Sequence, residues 1–521
     1  MLHGSRALAL DALVDAILEV QRLCCVRGPD GCEALHDVGL TVRPGEVILL
    51  AGKSGCGKST LIHCACGLIP RIFPGQVRGS IELYGRTIGA LATWEIAQRA
   101  GLAFQNPDHQ LFTDTVQGEA AFGPENLALP QEEVAHRVED VLRRTGLLGL
   151  RHRLTRTLSF GQKRRVGIAG VLSLKPRLFL LDEPASVLDD ESARSIIADV
   201  ARLAAEMGGA VLVAEHRLGY VIDHATRLVV MDRGSIVYDG SPAAAWDHEF
   251  RARHGLRAPA CEFPKGPQFG ICSIPAAGPV LQARRVCFSY AGHRPTAEEP
   301  AILADVNLDV AASAATVVAG PNGSGKTTLL KILAGLLRPT SGTVRWCDGS
   351  SAAAQGMYSR GRGSSIAYVG HQPLYLFRRG QVLRELASWL PPKTPLDLTV
   401  DIAERLDIRH LFARHPLALS EGESRRLAIA GALAAQPRVL ILDEPSVGFD
   451  GHHMGCLLDA LDRYMASGGA LVVASNDQDF LCRLPTSAVC LSAIQQVSTA
   501  FDHPLFGSQS RVKSDKPSST A

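Results

Sequence analysis

Two glycine-rich loops of the same pattern constrain this chain more than any other feature. The pattern G-x-x-x-x-G-K-[ST] occurs at residues 52–59 and again at 320–327. A short hydrophobic run precedes each loop, at 47–50 and 315–318, and an apolar helical stretch follows it. Glycines let backbone N–H groups converge on phosphate oxygens at the start of such a helix, which is the arrangement of a P-loop. The sequence therefore predicts two phosphate-binding sites in one polypeptide.

The residues predicted to contact a nucleotide follow the two motifs. In the first loop they are Gly52, Lys53, Ser54, Gly55, Cys56, Gly57, Lys58, Ser59 and Thr60. In the second loop they are Gly320, Pro321, Asn322, Gly323, Ser324, Gly325, Lys326, Thr327 and Thr328. The lysines are expected to contact the β- and γ-phosphates, and Ser59 and Thr327 to bind Mg²⁺.

Shorter motifs repeat after each loop. A Leu-Ser-x-Gly segment contains Ser159 in the first half and Ser420 in the second. At the same distance from each serine, a hydrophobic run ends in Asp182 or Asp443, followed by a glutamate. An aspartate at the end of a buried strand places a carboxylate beside Mg²⁺. The glutamates that follow, Glu183 and Glu444, are expected to polarise the attacking water.

The hydrophobic pattern predicts an α/β fold with two P-loop domains in tandem. Short runs at 178–181, 210–214, 439–442 and 470–474 have the composition of buried parallel strands. The predicted division is an N-terminal extension (1–17), a first domain (18–255), a proline-rich linker (256–279), a second domain (280–496) and a disordered C-terminal tail (497–521). The stretch 7–20 is predicted to form an amphipathic helix that leads into a strand.

Composition narrows the functional classes. A chain of 521 residues is too long for one core. The net charge of +2 gives no global basic field, so a nucleic-acid partner is not expected. Basic clusters at 163–165 and 425–426 are interpreted as solvated helix faces or anion contacts. No apolar run reaches the roughly 18 residues of a membrane-spanning helix, and a cytoplasmic location is expected.

Thirteen cysteines occur without CxxC pairing, which suits reduced thiols. Cys64 and Cys66, next to His63, are predicted to pack in the core rather than bind a metal. Cys56 lies inside the first P-loop, where Lys58 and the helix N-terminus favour a reactive thiolate. The alternative is a small filler residue with a hindered thiol.

The order of these motifs resembles that of the ATP-binding cassette (ABC) ATPases over both halves of the chain. The resemblance implies ATP hydrolysis with Mg²⁺, and two ABC-type domains. Each domain would have a mainly parallel sheet, an antiparallel β portion and a helical subdomain.

The resemblance also implies roles for individual residues. Gln105 and Gln372 correspond to the glutamine loops, which sense the nucleotide and touch the transport partner. His216 corresponds to the switch histidine, and Asp189 and Asp450 to the D-loops. The implied signature residues are Ser159, Gly161, Gln162, Ser420, Gly422 and Glu423. The implied catalytic residues are Glu183, His216 and Glu444. The implied Mg²⁺ ligands are Ser59, Gln105, Asp182, Thr327, Gln372 and Asp443.

Several positions depart from the family pattern. Asn476 replaces the switch histidine of the second half, and an asparagine cannot be protonated near neutral pH. Tyr290 suits adenine stacking in the second half, whereas residues 24–27 offer no aromatic ring in the first. Phe160 and Glu421 occupy the usual second-position glycine of the signatures.

Head-to-tail pairing of the halves would make both sites composite. Site one would combine Lys58, Asp182, Glu183 and His216 with the Ser420 signature. Site two would combine Lys326, Asp443, Glu444 and Asn476 with the Ser159 signature. We expect site one to hydrolyse ATP faster, because it retains a glutamate and a histidine together.

The segment 104–127 resembles the ATPases of energy-coupling factor (ECF) transporters, which drive uptake of vitamins and metal ions. This resemblance implies a transmembrane coupling subunit and a substrate-binding membrane subunit as partners. It also implies a peripheral position on the cytoplasmic face of the membrane. The alternatives are a soluble tandem ABC ATPase that acts on ribosomes or DNA, and the ATPase of another ABC transporter class.

Overall fold

The computed structural model describes residues 15–27, 31–186, 188, 190–259, 279–290, 301–320, 323–347, 365–390 and 396–484. Most of the predicted N-terminal extension, most of the predicted linker and the whole predicted tail lie outside these ranges. Pro321 and Asn322 of the second P-loop and Asp189 also lie outside them. The predicted domain boundaries remain predictions.

The strands alternate with helices along both halves. In the first half the strands are β1 (Leu18–Arg27), β2 (Cys32–Val42), β3 (Val47–Gly52), β4 (Gln76–Leu83), β5 (Arg86–Thr87), β6 (Ala100–Ala103), β7 (Leu178–Asp182), β8 (Ala210–Ala214), β9 (Arg227–Asp232) and β10 (Ser235–Gly240). In the second half they are β11 (Pro279–Phe288), β12 (Leu303–Ala311), β13 (Ala315–Val318), β14 (Ser341–Trp346), β15 (Ile366–Val369), β16 (Val439–Asp443) and β17 (Ala470–Ala474).

The helices of the first half are α1 (Lys58–Ala65), α2 (Leu68–Arg71), α3 (Thr93–Arg99), α4 (Val116–Asn126), α5 (Gln131–Arg144), α6 (Phe160–Leu174), α7 (Asp190–Glu206) and α8 (His248–His254). Those of the second half are α9 (Lys326–Leu333), α10 (Val382–Ala387), α11 (Leu396–Arg405), α12 (Glu421–Ala434), α13 (Gly451–Ala466) and α14 (Gln478–Arg483).

Each half is built on a mainly parallel sheet. The spatial order is β10-β9-β3-β8-β7-β6 in the first half, with β10 antiparallel, and β13-β17-β16-β15 in the second. Both faces of the central strands are covered. In β3, Val47, Leu49 and Ala51 join one hydrophobic core, whereas Ile48 and Leu50 join the core on the opposite face. This double burial explains why the strands are continuous apolar runs.

An antiparallel sheet accompanies each parallel one, in the orders β2-β1-β4-β5 and β12-β11-β14. Helices α4 and α5 pack on α6 in the first half, and α10 and α11 pack on α12 in the second. These groups form the helical subdomains. The predicted tandem α/β architecture, with its antiparallel portions and helical subdomains, is confirmed.

The transition from the N-terminal extension to the first sheet differs in detail from the prediction. Leu18 is already the first residue of β1, and it pairs with Val42 and Leu83 of the neighbouring strands. Residues 15–17 are not helical either, so the predicted helix is wrong over 15–20, and its remainder, 7–14, lies outside the described residues. Ile17 and Leu18 are buried in the core of the antiparallel sheet. Strand pairing outweighs their helical spacing.

Candidate functional site

The first P-loop joins the end of β3 to the start of α1. Gly57 precedes α1 with φ of 108°, and a side-chain carbon there would lie 2.7 Å from the Ala34 carbonyl oxygen. Glycine is therefore required at this turn. The buried Lys58 ammonium donates hydrogen bonds of 3.0 Å to the carbonyl oxygens of Gly52 and Lys53. The loop thus curls around the lysine, as a phosphate-binding loop requires.

A hydroxyl and a carboxylate meet beside each P-loop. Ser59 Oγ lies 3.0 Å from Asp182 Oδ1, and Thr327 Oγ1 lies 2.8 Å from Asp443 Oδ2. These oxygen pairs fit Mg²⁺, which prefers hard oxygen ligands. Within the described ranges, no group of three or more His, Cys, Asp or Glu side chains could hold a metal ion. Substrate phosphates would have to complete the coordination.

The Glu183 carboxylate lies between Gln105 and His216, the glutamine-loop residue and the switch histidine implied by the family resemblance. Its Oε2 accepts a 2.9 Å hydrogen bond from Gln105 Nε2, and its Oε1 lies 3.4 Å from His216 Nε2. Glu183 and Glu444 both have φ near 50°, in the left-handed region that non-glycine residues rarely adopt. Such strain is typical of functional sites. The structure therefore brings Glu183, Gln105 and His216 together.

The second half has the same scaffold with a different switch residue. Lys326 Nζ donates to the Gly320 carbonyl oxygen at 2.6 Å and to Asn476 Oδ1 at 3.0 Å. The Glu444 carboxylate accepts from the backbone N–H of Asn476 at 3.1 Å and from Ser475 Oγ at 3.0 Å. Asn476 thus bridges the P-loop lysine and Glu444, but it brings no ionisable ring to the glutamate.

The two glutamates consequently differ in charge. Burial disfavours the Glu183 carboxylate, but the hydrogen bond and charge of His216 outweigh burial and lower its pKa to about 2. Burial raises the pKa of Glu444 to about 7, and the neighbouring charge of Asp443 adds to the rise. At neutral pH Glu183 is therefore ionised, whereas Glu444 is protonated in about half of the molecules.

The two signature segments begin helices α6 and α12 with reciprocal caps. Ser159 Oγ accepts from the Gln162 N–H at 3.3 Å, and the Gln162 side chain accepts from the Ser159 N–H at 3.0 Å. Ser420 and Glu423 repeat this arrangement at 3.3 and 2.8 Å. The spacing S-x-x-[QE] is a capping box, so these polar residues fix where each helix begins.

The second signature faces the first P-loop across the seam between the halves. The Ser54 N–H donates a 2.7 Å hydrogen bond to Asp450 Oδ2. A side-chain carbon at Gly422 would lie 3.5 Å from Ser54 Oγ. Asp450 immediately precedes α13, and Gly422 lies in the first turn of α12. Site one is therefore composite in this structure, with one wall from each half.

A cavity of about 330 Å³ separates these two walls. Its lining includes 53–56 of the first P-loop together with Glu423 and Arg426 of α12. The Arg426 side chain is buried, and its Nε and Nη1 have no hydrogen-bond partner in the described structure. Ser324 Oγ of the second P-loop is also buried and without a partner there. Orphaned donors beside P-loops fit an anionic nucleotide.

The first signature meets the glutamine loop of the second half. The Phe160 ring packs on His371 with centroids 4.4 Å apart. Gln372 Nε2 lies 3.4 Å from Asp108 Oδ2 of the first half. No hydrogen bond of 3.5 Å or less is seen between Gln372 and Glu444 in the described structure, so the second glutamine does not repeat the contact that Gln105 makes.

The two halves also differ where the adenine ring is expected. Tyr290 is 64% exposed, and its hydroxyl lies 3.2 Å from Thr328 Oγ1, so its ring is free to stack beside the second P-loop. In the first half, Cys25 is buried within β1. No aromatic side chain of β1 is available there, because Leu18–Arg27 contains none.

Two basic residues of the signature helices do not lie on solvated helix faces, which was one of the two interpretations made from the sequence. Arg164 and Arg425 are almost completely buried rather than solvated. Arg164 donates to the carbonyl oxygens of Phe104 at 3.0 Å, Asp182 at 3.1 Å and Pro184 at 3.2 Å. The arginine ties the glutamine loop to the end of β7. Arg425 likewise donates to the His371 and Glu444 carbonyl oxygens.

The cysteines near the first P-loop are buried. Cys64 and Cys66 lie in the hydrophobic core, as predicted, and burial raises the pKa of both thiols. Cys56 is 4% exposed, with Sγ 3.8 Å from Lys58 Nζ. These facts are compatible with both interpretations of Cys56.

Among the described helices, none combines the length and apolarity needed to cross a membrane.

Two P-loops, each paired with an Asp-Glu strand end and a capped signature helix, define a tandem P-loop ATPase. The sequence profile described as ABC transporter matches residues 35–186 and 303–447. The chain belongs to the ABC transporter family of ATPases, whose members bind ATP and typically Mg²⁺.

Two relatives match nearly the full length. A protein of Methanosarcina acetivorans, named as an ABC transporter ATP-binding protein, is 33% identical over 493 residues, covering 86% of this chain and 79% of its own. YkoD of Bacillus subtilis, named as an HMP/thiamine import ATP-binding protein, is 31% identical over 514 residues, covering 94% of this chain and 91% of its own.

A solved structure shares the tandem fold. It is the archaeal ribosome recycling factor aABCE1 in complex with the stalk protein aP1, with a TM-score of 0.59 and 21% identity. The alignment covers 90% of this chain and 87% of that one. At this identity the likeness concerns the fold alone.

Proposed function

We propose that this ATPase is the energy-coupling subunit of an ECF-type ABC importer, acting from the cytoplasmic face of the membrane. It would drive uptake of a vitamin or metal ion through a transmembrane coupling subunit and a substrate-binding membrane subunit. The similarity to YkoD, which is named for HMP/thiamine import, supports this class of cargo.

The observation that carries the proposal is an exposed aromatic pair after the first glutamine loop. Phe112 and Phe122 are 72% and 43% exposed, with ring centroids 5.7 Å apart. After the second glutamine loop, Leu374 and Leu383 are 39% and 38% exposed. Contiguous exposed apolar surface marks interaction sites. These apolar side chains suit cytoplasmic helices of a membrane subunit.

ATP would be hydrolysed mainly at site one. Glu183 would accept a proton from the attacking water, and His216 would hold the glutamate and sense the terminal phosphate. Lys58 and the P-loop N–H groups would bind the phosphates, while Ser420 and Gly422 would contact them from the other half. Bound Mg²⁺ would neutralise developing charge, with Ser59, Asp182 and Gln105 as its protein ligands.

Site two would bind ATP and hydrolyse it more slowly. Lys326, Thr327 and Asp443 provide the same phosphate and cation contacts. Glu444 lacks an imidazole partner, because Asn476 occupies the switch position. Closure of the seam on ATP, and its reopening after hydrolysis, would move the apolar patches and thus the membrane subunits.

The test is capture of membrane partners. The tagged protein, expressed in its own organism, should co-purify with two small hydrophobic proteins from detergent-solubilised membranes. Replacing Phe112 and Phe122 by serine should remove most of this capture while leaving the ATPase rate of the purified chain within about twofold. Trp246→Ser, an exposed aromatic of the same half, is the matched control and should not affect capture.

Capture of ribosomal proteins or nucleic acid in place of membrane proteins would refute the importer proposal. It would favour the soluble tandem ATPase instead. Equal capture by the Phe112→Ser, Phe122→Ser double variant and by the Trp246→Ser control would refute the docking surface.

A further inference from the structure

The segment that follows α8, residues 255–259, contacts both halves and is named here the bridge segment. It is anchored on the first half, because Leu256 is buried in that half's core and its N–H donates to the Arg251 carbonyl oxygen at 3.0 Å. On the other side, the Gly451 N–H of the second half donates to the Gly255 carbonyl oxygen at 3.0 Å. A side-chain carbon at Gly451 would lie 2.7 Å from the Leu256 carbonyl oxygen. The two backbones therefore touch.

Arg257 is the bridge residue that enters the second half most deeply. Its side chain is 3% exposed, and Nη2 lies 2.6 Å from Asp477 Oδ1 and 3.0 Å from Asp479 Oδ2. Both carboxylates belong to the second half, more than 200 positions along the chain. A buried guanidinium without these partners would be strongly disfavoured, so the contact must persist while the halves are docked as they are here.

Asp477 transmits this contact to the second nucleotide site. It directly follows Asn476, whose amide oxygen and backbone N–H contact Lys326 and Glu444. Asp477 also caps α14, through Phe480 N–H at 3.3 Å, and accepts from Ser446 Oγ at 2.6 Å. The Asp477 carboxylate is thus fixed by three donors, one of which comes from the other half.

Among the residues that the structure describes, no equivalent arrangement surrounds His216, the first switch residue. Arg217 follows His216, where the second half has Asp477 after Asn476. Arg217 donates to the Ala185 carbonyl oxygen of its own half and lies over the Tyr220 ring. A cation at this position cannot bind an arginine in the way Asp477 does. Arg257 therefore forms its ion pairs with the switch segment of the second half, and Arg217 of the first half lies close enough to Asp477 for their charges to interact as well.

We propose that Arg257 is a positioning residue for site two. By holding Asp477, it keeps the Asn476 amide in register with Lys326 and Glu444, so that the first half sets the geometry of the second site. Arg257 does not touch the reacting atoms. The inference rests on the proposed roles of Glu183 and Glu444 as the bases of the two sites.

The experiment measures Arg257→Met in two backgrounds. In Glu183→Gln protein, where hydrolysis depends on Glu444, the substitution should lower kcat roughly tenfold. In Glu444→Gln protein, where hydrolysis depends on Glu183, the change should stay within about twofold. Retention of a photoreactive MgATP analogue is measured in parallel by cross-linking it and locating the labelled peptides in each half by mass spectrometry. It should fall for the second half alone.

Two further variants distinguish a positioning role of Arg257 from a general effect of the substitution on folding. Arg483→Met removes another arginine from Asp479, at 2.9 Å, but does not reach Asp477, so it should change neither readout by more than about twofold. Arg257→Lys keeps the charge without the planar fork and should give an intermediate loss. Circular dichroism melting should show that all variants remain folded at the assay temperature.

Equal losses in both backgrounds, or no loss in either readout, would overturn the role of Arg257. If Glu183→Gln and Glu444→Gln alone leave the ATPase rate unchanged, the assigned bases are wrong. The retention of MgATP on the second half then decides the role of Arg257 by itself.

Discussion

At the scale of single residues, the two halves differ at the switch position. His216 contacts Glu183 in the first half, whereas Asn476 contacts Glu444 and Lys326 in the second. This difference was visible in the sequence, because an asparagine stands where the family has a histidine. Its effect on the glutamates required the structure, because burial depends on the surroundings of each side chain.

The first prediction compares the two glutamates. Glu183→Gln should reduce the ATPase rate at least about a hundredfold, since a glutamine cannot accept a proton. Glu444→Gln should reduce it by less than about fivefold, because site two contributes little turnover. The measurement is steady-state phosphate release with saturating MgATP.

As a control, both variants should bind a fluorescent ATP analogue as tightly as the wild-type protein does. Losses of equal size would contradict the proposed asymmetry between the sites.

The second prediction restores the missing histidine. Asn476→His should place an imidazole beside Glu444 and favour its ionised form, because a positive neighbour stabilises a carboxylate. At pH 6, where a carboxyl with a pKa of about 7 is mostly protonated, the ATPase rate in the Glu183→Gln background should rise by about threefold or more. Asn476→Gln, which preserves the amide, should give no increase, and a rise in that control would mean that the imidazole is not the cause.

A third prediction concerns Glu421, at the second signature position. It pairs with Arg425 at 3.1 Å and is close enough to Glu183, across the seam, for the like charges to interact. Replacing it by glutamine should lower the KM for ATP by roughly threefold, since an anion beside the phosphates is removed. Glu404→Gln, on the exposed surface of α11, is the control, and an unchanged KM in Glu421→Gln protein would contradict the electrostatic argument.

At the scale of secondary-structure elements, the strands could be predicted from the sequence, whereas the burial of arginines on the helices could not. The runs ending at Asp182 and Asp443 are strands as expected, because four successive apolar residues between turns leave few alternatives. Solvated faces were one of the two expectations for Arg164 and Arg425. Their burial depends on carbonyl oxygens of distant loops, which a local pattern cannot reveal.

This burial gives a stability prediction. Arg164→Met should lower the free energy of unfolding by about 3 kcal/mol, because several carbonyl groups lose their donor inside the protein. Arg143→Met, which breaks an exposed pair with Glu139 on α5, should change it by less than about 0.5 kcal/mol. Urea unfolding followed by circular dichroism measures both, and equal effects would contradict the structural role of Arg164.

At the scale of the whole molecule, the opposed orientation of the halves follows from the contacts of Ser54. The sequence predicted that the second signature faces the first P-loop, from the family resemblance, and the contacts with Asp450 and Gly422 agree with it. The bridge segment was not predictable. It lies in a proline-rich stretch without periodicity, and the partners of Arg257 follow more than 200 residues later.

The orientation can be tested by cross-linking. Cysteines at Ser54 and Gly422 should form a disulfide under mild oxidation, because a Cβ at Gly422 would lie 3.5 Å from Ser54 Oγ. The Gly448 carbonyl oxygen, 2.9 Å from that Cβ, would have to shift slightly to admit the cysteine. Cysteines at Ser54 and Gly161, the signature of the same half, should not form a disulfide. Peptide mass spectrometry identifies the bond among the native thiols, and cross-linking of the second pair alone would contradict the composite site.

The two signatures make the halves non-interchangeable. Phe160 presents an aromatic ring to His371, whereas Glu421 presents a carboxylate near Glu183. A hybrid chain made of two first halves would place a phenylalanine where site one now has the Glu421–Arg425 ion pair, and would provide no Asp477 for Arg257. Each half has therefore become adapted to one particular neighbour, and duplicating either would not regenerate the working pair.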